Sequence, residues 1–298
     1  MEDKYSPSPG DKDLIKRCEA MFDMAKKSRQ DTENVWRDSE ELYMGNHWKG
    51  FKMPEYQNQI TLELIGSMID TMIPILSSRP PKIDVMPVEY NEETIQAAQN
   101  LQALMDEMWM IRDLQNTVPE WLLDYLVYGT GVMKVRFNEE DDLPDADIVD
   151  PFAFYVNPSA TKLEDAEWVI QASPTPLWRI RDKYKNGHYV QSQSNLDKYE
   201  AIKMNTAPLA DERVQVTDTT GAETHYYDSP KKAMESLEER ALVIECFMRD
   251  GTMEYVDMED EYGKKQQKKR YKYPSQVRQV VMANGVLLYD GPTKYPFF

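Results

Sequence analysis

The chemistry that this chain carries most densely is carboxylate chemistry. The run Glu139-Glu140-Asp141-Asp142 sets four anionic side chains side by side. Magnesium and calcium take such oxygen ligands, but consecutive carboxylates after a short apolar run equally describe a solvated turn behind a strand. The other metal-binding residue types do not reinforce a site. His47, His188 and His225 show no His-x-x-x-His partnership. Cys18 and Cys246 lie far apart in the sequence among apolar or helical neighbours, which reads as two buried free thiols rather than a disulfide or a metal pair. Neither Gly-x-x-x-x-Gly-Lys-Ser/Thr nor Gly-x-Ser-x-Gly occurs, so the common nucleotide and acyl-transfer signatures are missing. No catalytic residue, metal site or cofactor is assigned on these grounds. A carboxylate-dependent, metal-using DNA-processing enzyme remains an open alternative, because a pocket of perturbed carboxylates leaves no fixed spacing.

One cationic run stands against this acidic background. Lys264, Lys265, Lys268, Lys269, Arg270 and Lys272 follow directly on Asp257, Glu259, Asp260 and Glu261, with Tyr271 and Tyr273 interleaved. One reading is a solvated loop between hairpins. The other is a contact for a partner protein or for DNA phosphate. The whole chain has 35 Lys and Arg against 52 Asp and Glu, so 35 − 52 = −17, which excludes a surface that clamps nucleic acid everywhere and leaves room only for local contact. With 298 residues, 41% of them hydrophobic, the chain has enough apolar material for a real core and a length that suggests two domains. No apolar run reaches the length of about 18 residues needed to span a bilayer, and MEDKYSPSPGDKD lacks the pattern of a signal peptide. The composition therefore fits a protein made and used in a cytoplasm.

Several elements position these residues. Residues 1–10 read as a flexible arm, and Asp11 or Asp13 can cap a helix that reaches Met44, where Gly45 offers a left-handed stop. Leu14, Cys18, Met21, Phe22, Ala25, Trp36 and Leu42 recur near helical spacing, predicting one buried face. A second helix over 57–76 is apolar around much of its circumference and reads as core, ending at Pro74. A strand is expected at 82–88 and a third helix over 91–111. Thr117-Val118-Pro119-Glu120 reads as a capping box that opens a fourth helix running to Tyr128. Gly129-Thr130-Gly131 follows a helix and enters a strand, the reverse of a phosphate loop, so its role is a turn. Strands with corners at Asp150-Pro151 and Asn157-Pro158 come next, since proline removes a backbone donor and pushes the preceding residue toward extended geometry. A short helix over 177–186 ends at Gly187. Beyond the polar, loop-rich stretch 188–240, alternating apolar residues predict hairpins around Asp250-Gly251 and Asn284-Gly285. The division is thus a helix-rich α+β domain over 11–187, a connection over 188–240 and a smaller β-hairpin-rich segment over 241–298.

The sequence Asp147 to Ile170 also carries a resemblance. Asp150-Pro151-Phe152, Asn157-Pro158-Ser159-Ala160-Thr161 and Leu163-Glu164-Asp165-Ala166-Glu167-Trp168-Val169 resemble, in order and spacing, the corners and acidic turn of tailed-phage portal proteins. Tyr43-Met44-Gly45-Asn46-His47-Trp48, the order of elements from Asn58 to Val88, Tyr128-Gly129-Thr130-Gly131 and the final Gly291-Pro292 to Pro296-Phe297 are similar to portal features too. The resemblance implies a wing-like domain followed by a clip-like segment. It implies a non-enzymatic subunit in a ring of about twelve at one capsid vertex. Double-stranded DNA would pass through without sequence recognition. The implied partners are the terminase large subunit, major capsid and scaffold proteins, and head-completion adaptor or tail proteins, with no membrane; the implied location is the virion, after assembly in the host cytoplasm. The long stem helices, tunnel loop and crown of that family are not read here, so the sequence reads as an N-terminal portion. A soluble α+β interaction module without DNA is the remaining alternative.

Overall fold

A computed structural model describes residues 5–48, 60–79, 84–138, 142–193, 196, 214–215, 226–227, 239–259 and 265–297. Glu139, Glu140, Asp141, Lys264, His225, the start of the helix expected from Gln57 and most of 188–240 lie outside them. The architecture is α+β, as expected. The elements in chain order are α1 (Pro9–Tyr43), α2 (Leu64–Ser77), α3 (Glu92–Ile111), α4 (Leu114–Tyr128), β1 (Val132–Asn138), β2 (Leu143–Val149), β3 (Phe154–Val156), β4 (Trp168–Pro176), α5 (Leu177–Lys183), β5 (Val214–Gln215), β6 (Tyr226–Tyr227), β7 (Arg240–Arg249), β8 (Met253–Glu259), β9 (Lys265–Tyr271), β10 (Val277–Ala283) and β11 (Val286–Thr293). They fall into two compact units. A sheet unit comprises Met1–Ser28 and Phe152–Tyr295, and a helical unit comprises Arg29–Pro151 and Pro296–Phe298.

In the sheet unit, five antiparallel strands run in the order β11-β10-β7-β4-β3. Strand period sorts the side chains into two cores. Ile244, Cys246 and Met248 of β7, Ile170 and Ala172 of β4, and Val280 and Met282 of β10 share one core with Leu14, Cys18, Met21, Phe22 and Ala25 of α1. Alternate positions Ala241, Val243, Val281 and Ala283 share the other core with Leu177 and Ile180 of α5 and with Val190. The predicted stripe of α1 is buried at Leu14, Cys18, Met21, Phe22, Ala25 and Trp36, whereas Leu42, expected with them, is 43% exposed. Cys18 and Cys246 are free and buried, and although distant in sequence their thiols meet in the first core. The start of α1 differs from the expectation: Ser8 and Asp11 bond reciprocally at 3.1 and 3.2 Å, so Ser8 caps the helix and Pro9 opens it. Within the region expected as an arm, Tyr5 stacks near Tyr189 at 5.5 Å and its hydroxyl accepts the Leu287 amide at 2.9 Å.

Three further expectations are corrected. The hairpin around Asp250-Gly251 does not join the strands on either side of it: β7 pairs with β4 and β10, while β8 pairs with β9. The reason is burial, because β7 is apolar on both faces and needs a partner along each edge. Residues 84–88 form no strand; the Val85 amide donates instead to Gln102 Oε1 of α3 at 2.9 Å. Helix α4 begins at Leu114 rather than at Pro119, after Asp113 in the left-handed region, and Pro119 lies inside it. The hairpin at Asn284-Gly285 forms as expected, joining β10 to β11 with φ of 49° and 74° at the two turn residues. A Cβ on Gly285 would meet nothing within 4 Å, so Gly285→Ala isolates the cost of positive φ. Urea denaturation should show a loss of about 1 kcal/mol, and an unchanged midpoint would contradict the turn geometry.

Candidate functional site

The structure separates the residues singled out from the sequence. Asn157 closes a turn: its Oδ1 accepts from the Ser159 amide at 3.1 Å and from the Ser159 hydroxyl at 3.0 Å, and the Ala160 amide donates to its carbonyl at 3.0 Å. The side chain is 7% exposed, so these bonds lie largely out of water. Pro158 follows in the same turn. Pro151 opens a single 3₁₀ turn, Pro151–Ala153, and its carbonyl accepts from Arg29 Nη1 at 2.9 Å. The same Arg29 pairs with Glu33 at 2.6 Å and lies over the Trp36 ring at 5.4 Å, which fixes the corner to α1.

The basic run becomes a strand and not a loop. Lys265, Lys268, Lys269 and Arg270 lie on β9, opposite Glu259, Val256, Tyr255 and Glu254 of β8 in that order. Arg270 Nε stands 3.0 Å from Glu254 Oε1, with both side chains open to solvent. Lys272 follows the strand, its Nζ 5.5 Å from the centre of the Tyr273 ring. Two basic positions of the strand thus face acids, Lys265 across from Glu259 and Arg270 across from Glu254, while Lys268 and Lys269 face Val256 and Tyr255; an opposite-charge pair of this kind stabilises a two-stranded ribbon by a few tenths of a kcal/mol. Among the described residues no cluster of His, Cys, Asp or Glu is arranged to hold a metal ion, and no helix among them is long and apolar enough to cross a membrane.

Sequence reasoning passed over Asp124. It sits inside the apolar stretch Trp121-Leu122-Leu123-Asp124-Tyr125-Leu126-Val127-Tyr128 of α4. Burial raises its pKa to about 7, helped by the negative charges of Asp150, Glu120 and Glu40. Asp150, chosen for its corner, therefore also belongs to a group of acids that repel one another, and the buried Glu40 of α1 joins them. Burial first, and the same carboxylates second, push the Tyr128 hydroxyl well above the ordinary tyrosine range. The signal available in the sequence was an acid at position 124 with another four residues before it, on a helix otherwise apolar.

The largest departure from expectation is α2. Gly66, Ile69, Ile73 and Ser77 form its buried or half-buried stripe, at helical spacing. This stripe is narrow and well held. A Cβ on Gly66 would come within 3.0 Å of the Tyr43 carbonyl, the Tyr43 hydroxyl donates to Asp70 Oδ1 at 2.7 Å, and Gln115 Nε2 of α4 donates to the Ser77 carbonyl at 3.1 Å. Burial and that carboxylate push the Tyr43 hydroxyl up to about 12. The rest of the helix, expected to be core, faces solvent: Leu64, Ile65, Met68, Met72, Ile75 and Leu76 are all exposed. Val88 and Tyr90, in the segment before α3, are 97% and 87% exposed, and Ile95, Leu101, Leu104, Met110 and Ile111 continue the apolar surface along α3. Between residues 85–90 and α3 runs an open groove of about 520 Å³, lined by Val85, Pro87, Tyr90, Ile95, Ala98 and Ala103 among others. A contiguous apolar surface of several hundred Å² marks an interaction site on most proteins.

Two substitutions test this local chemistry. Alanine at Asn157 removes both bonds to Ser159 and should lower unfolding free energy by about 1 kcal/mol; a change within error would show that the turn needs no side-chain bond. Asp124 holds its proton to about pH 7 in the folded chain but releases it near pH 4 when unfolded. Its contribution to stability is present below about pH 4 and is lost as pH rises to about 7. Asp124→Asn should therefore raise the melting temperature at pH 8 while leaving it nearly unchanged at pH 4, and parallel profiles for the two proteins would refute the burial of this acid.

A family model described as phage P22-like portal protein matches residues 19–298. No curated protein matches the chain. The match covers nearly the whole chain, from within α1 through both units to its last residue. The chain belongs to the P22-like phage portal protein family, whose members are structural components that assemble as oligomers in the capsid of the virion.

Proposed function

We propose that this chain is the repeated subunit of a ring of about twelve copies at one capsid vertex, a passage for double-stranded DNA during packaging and ejection. The family match over 19–298 carries this reading. On this view the protein is not an enzyme and uses no cofactor. It is assembled in the host cytoplasm, and the force for packaging comes from the terminase large subunit docked on the ring, with head-completion adaptor or tail proteins bound later and major capsid and scaffold proteins around it.

Two observations support a passive conduit. The chain carries a charge of −17, so a ring of it repels phosphate over most of its surface. The one dense basic run is partly offset by the carboxylates of its partner strand. Each phosphate that a protein neutralises adds affinity which a motor would have to break at every step, so a conduit works best with few such contacts. Negative staining of the purified chain should show closed rings with a central hole. Affinities for two unrelated duplexes should be weak, equal and steeply lowered by salt, whereas tight binding to one sequence at moderate salt would sink the conduit mechanism.

The exposed residues of β9 supply a docking contact in this proposal. Charge reversal at Lys269 and Arg270 should weaken terminase or adaptor binding, most at low salt. Swapping Glu254 and Arg270 keeps the cross-strand pair while moving the positive charge, and should weaken binding too. Binding unaltered by either change, at any salt, would make the run a structural ribbon only.

A further inference from the structure

We infer that the copies of this chain join head to tail, the exposed apolar face of α2 on one copy seating in the groove between residues 85–90 and α3 of the next; this rests on the ring reading above. Unit geometry and charge both argue for it. α2 and α3 each pack against α4, so the helical unit carries two separate apolar features, a ridge and a groove. A closed ring needs two different, complementary patches on each subunit, whereas a single self-complementary patch gives only a pair.

The occupant must be able to approach an acidic chain. Copies bearing −17 each repel one another wherever their charged surfaces meet, and α2 is the place where this is least so, since Asp70 is the one charged residue in its 14 and is already held by Tyr43. The ridge is substantial. Met68 and Ile75 are 64% and 68% exposed, and Leu64 and Met72 lie beside them at helical spacing. Val88, Tyr90 and the exposed side chains of α3 add to it, and a specific interface is built from apolar surface of this kind. The groove offers an apolar floor for the ridge: small Ala98 and Ala103 lie along the helix side and Val85 and Tyr90 form the opposite wall, with Asp106 the one charged residue in the lining. Both features are fixed from behind, α2 by α1 and α4, and the groove segment by the Val85–Gln102 bond, so little ordering has to accompany assembly.

The test uses the full chain. Met68→Glu with Ile75→Glu places two carboxylates on the ridge at residues that are 64% and 68% exposed, and Trp178→Glu, at a residue 62% exposed in the sheet unit, is the matched control. By analytical ultracentrifugation the ridge variant should need about tenfold or more higher concentration to form oligomers, with an unchanged melting curve, while the control should assemble like the parent. Crosslinking then fixes the pairing. Cys18 and Cys246 are fully buried, so thiol reagents will report added cysteines only. Chains with Met68→Cys mixed with chains carrying Ala103→Cys should crosslink to each other, and neither should crosslink alone. A parent that stays monomeric overturns the ring reading together with this one. A parent that forms rings while the ridge variant assembles equally well, or while Met68→Cys links to itself, overturns only the surface assigned here.

Discussion

The pairing of β7 with β4 is the constraint on which the sheet unit depends. It joins residues 168–176 to residues 240–248 in one antiparallel register, across more than sixty intervening residues. Because the register of a strand decides which side chains face which side, a slip of one residue would exchange Ile244, Cys246 and Met248 with Val243 and Phe247 and present the wrong set to α1. The stripe Leu14–Cys18–Phe22–Ala25 packs on this face of the sheet, against β3, β4 and β10 as well as β7, so the first turns of α1 are ordered by strands well over a hundred residues away in sequence. β10 and β11 then complete the sheet through a tight turn that forms locally. Long-range pairing therefore sets the frame, and the short-range hairpin fills it.

This division of labour explains what could be read from the residues. The Asn284-Gly285 turn, the Asn157 turn and the stop of α1 at Gly45 are all set by residues within a few positions, and all were legible; the cap of α3 at Asn91 is equally local but was not read. The hairpin expected at Asp250-Gly251 was not, because alternation announces a strand without naming its partner, and the local turn lost to the burial available beside β4 and β10. Pro119 misled for a related reason. A proline favours the first turn of a helix, but Asp113 in the left-handed region opened α4 earlier, so that Thr117 already bonds the Asp113 carbonyl before Pro119 is reached and only the Pro119 donor is missing.

The misreading of α2 is of another kind. A helix apolar on most of its circumference is expected inside a core, yet hydrophobicity records only that a side chain leaves water on reaching its functional state. It does not say whether the chain itself or a second molecule provides the cover. Among the described residues the chain covers a stripe of Gly66, Ile69, Ile73 and Ser77, tethered by Tyr43 and Gln115. The apolar surplus of the sequence is the part left over.

That surplus and the acidity of the chain belong to one physical problem. Charge repulsion between copies acts over about 8 Å in physiological salt, whereas apolar contact is felt only when surfaces touch. A subunit that must remain soluble before assembly and adhere afterwards can use both, provided the two are kept apart on its surface. On α2 they are, since Asp70 is its one carboxylate, while elsewhere Glu254 pairs with Arg270 and a group of acids gathers around Asp124, where burial raises its pKa to about 7. Long-range repulsion then rejects misaligned encounters in which charged faces meet, and only the orientation that brings apolar surface onto apolar surface gains enough to persist. On the conduit proposal, acidity serves the specificity of assembly and a weak hold on DNA at once.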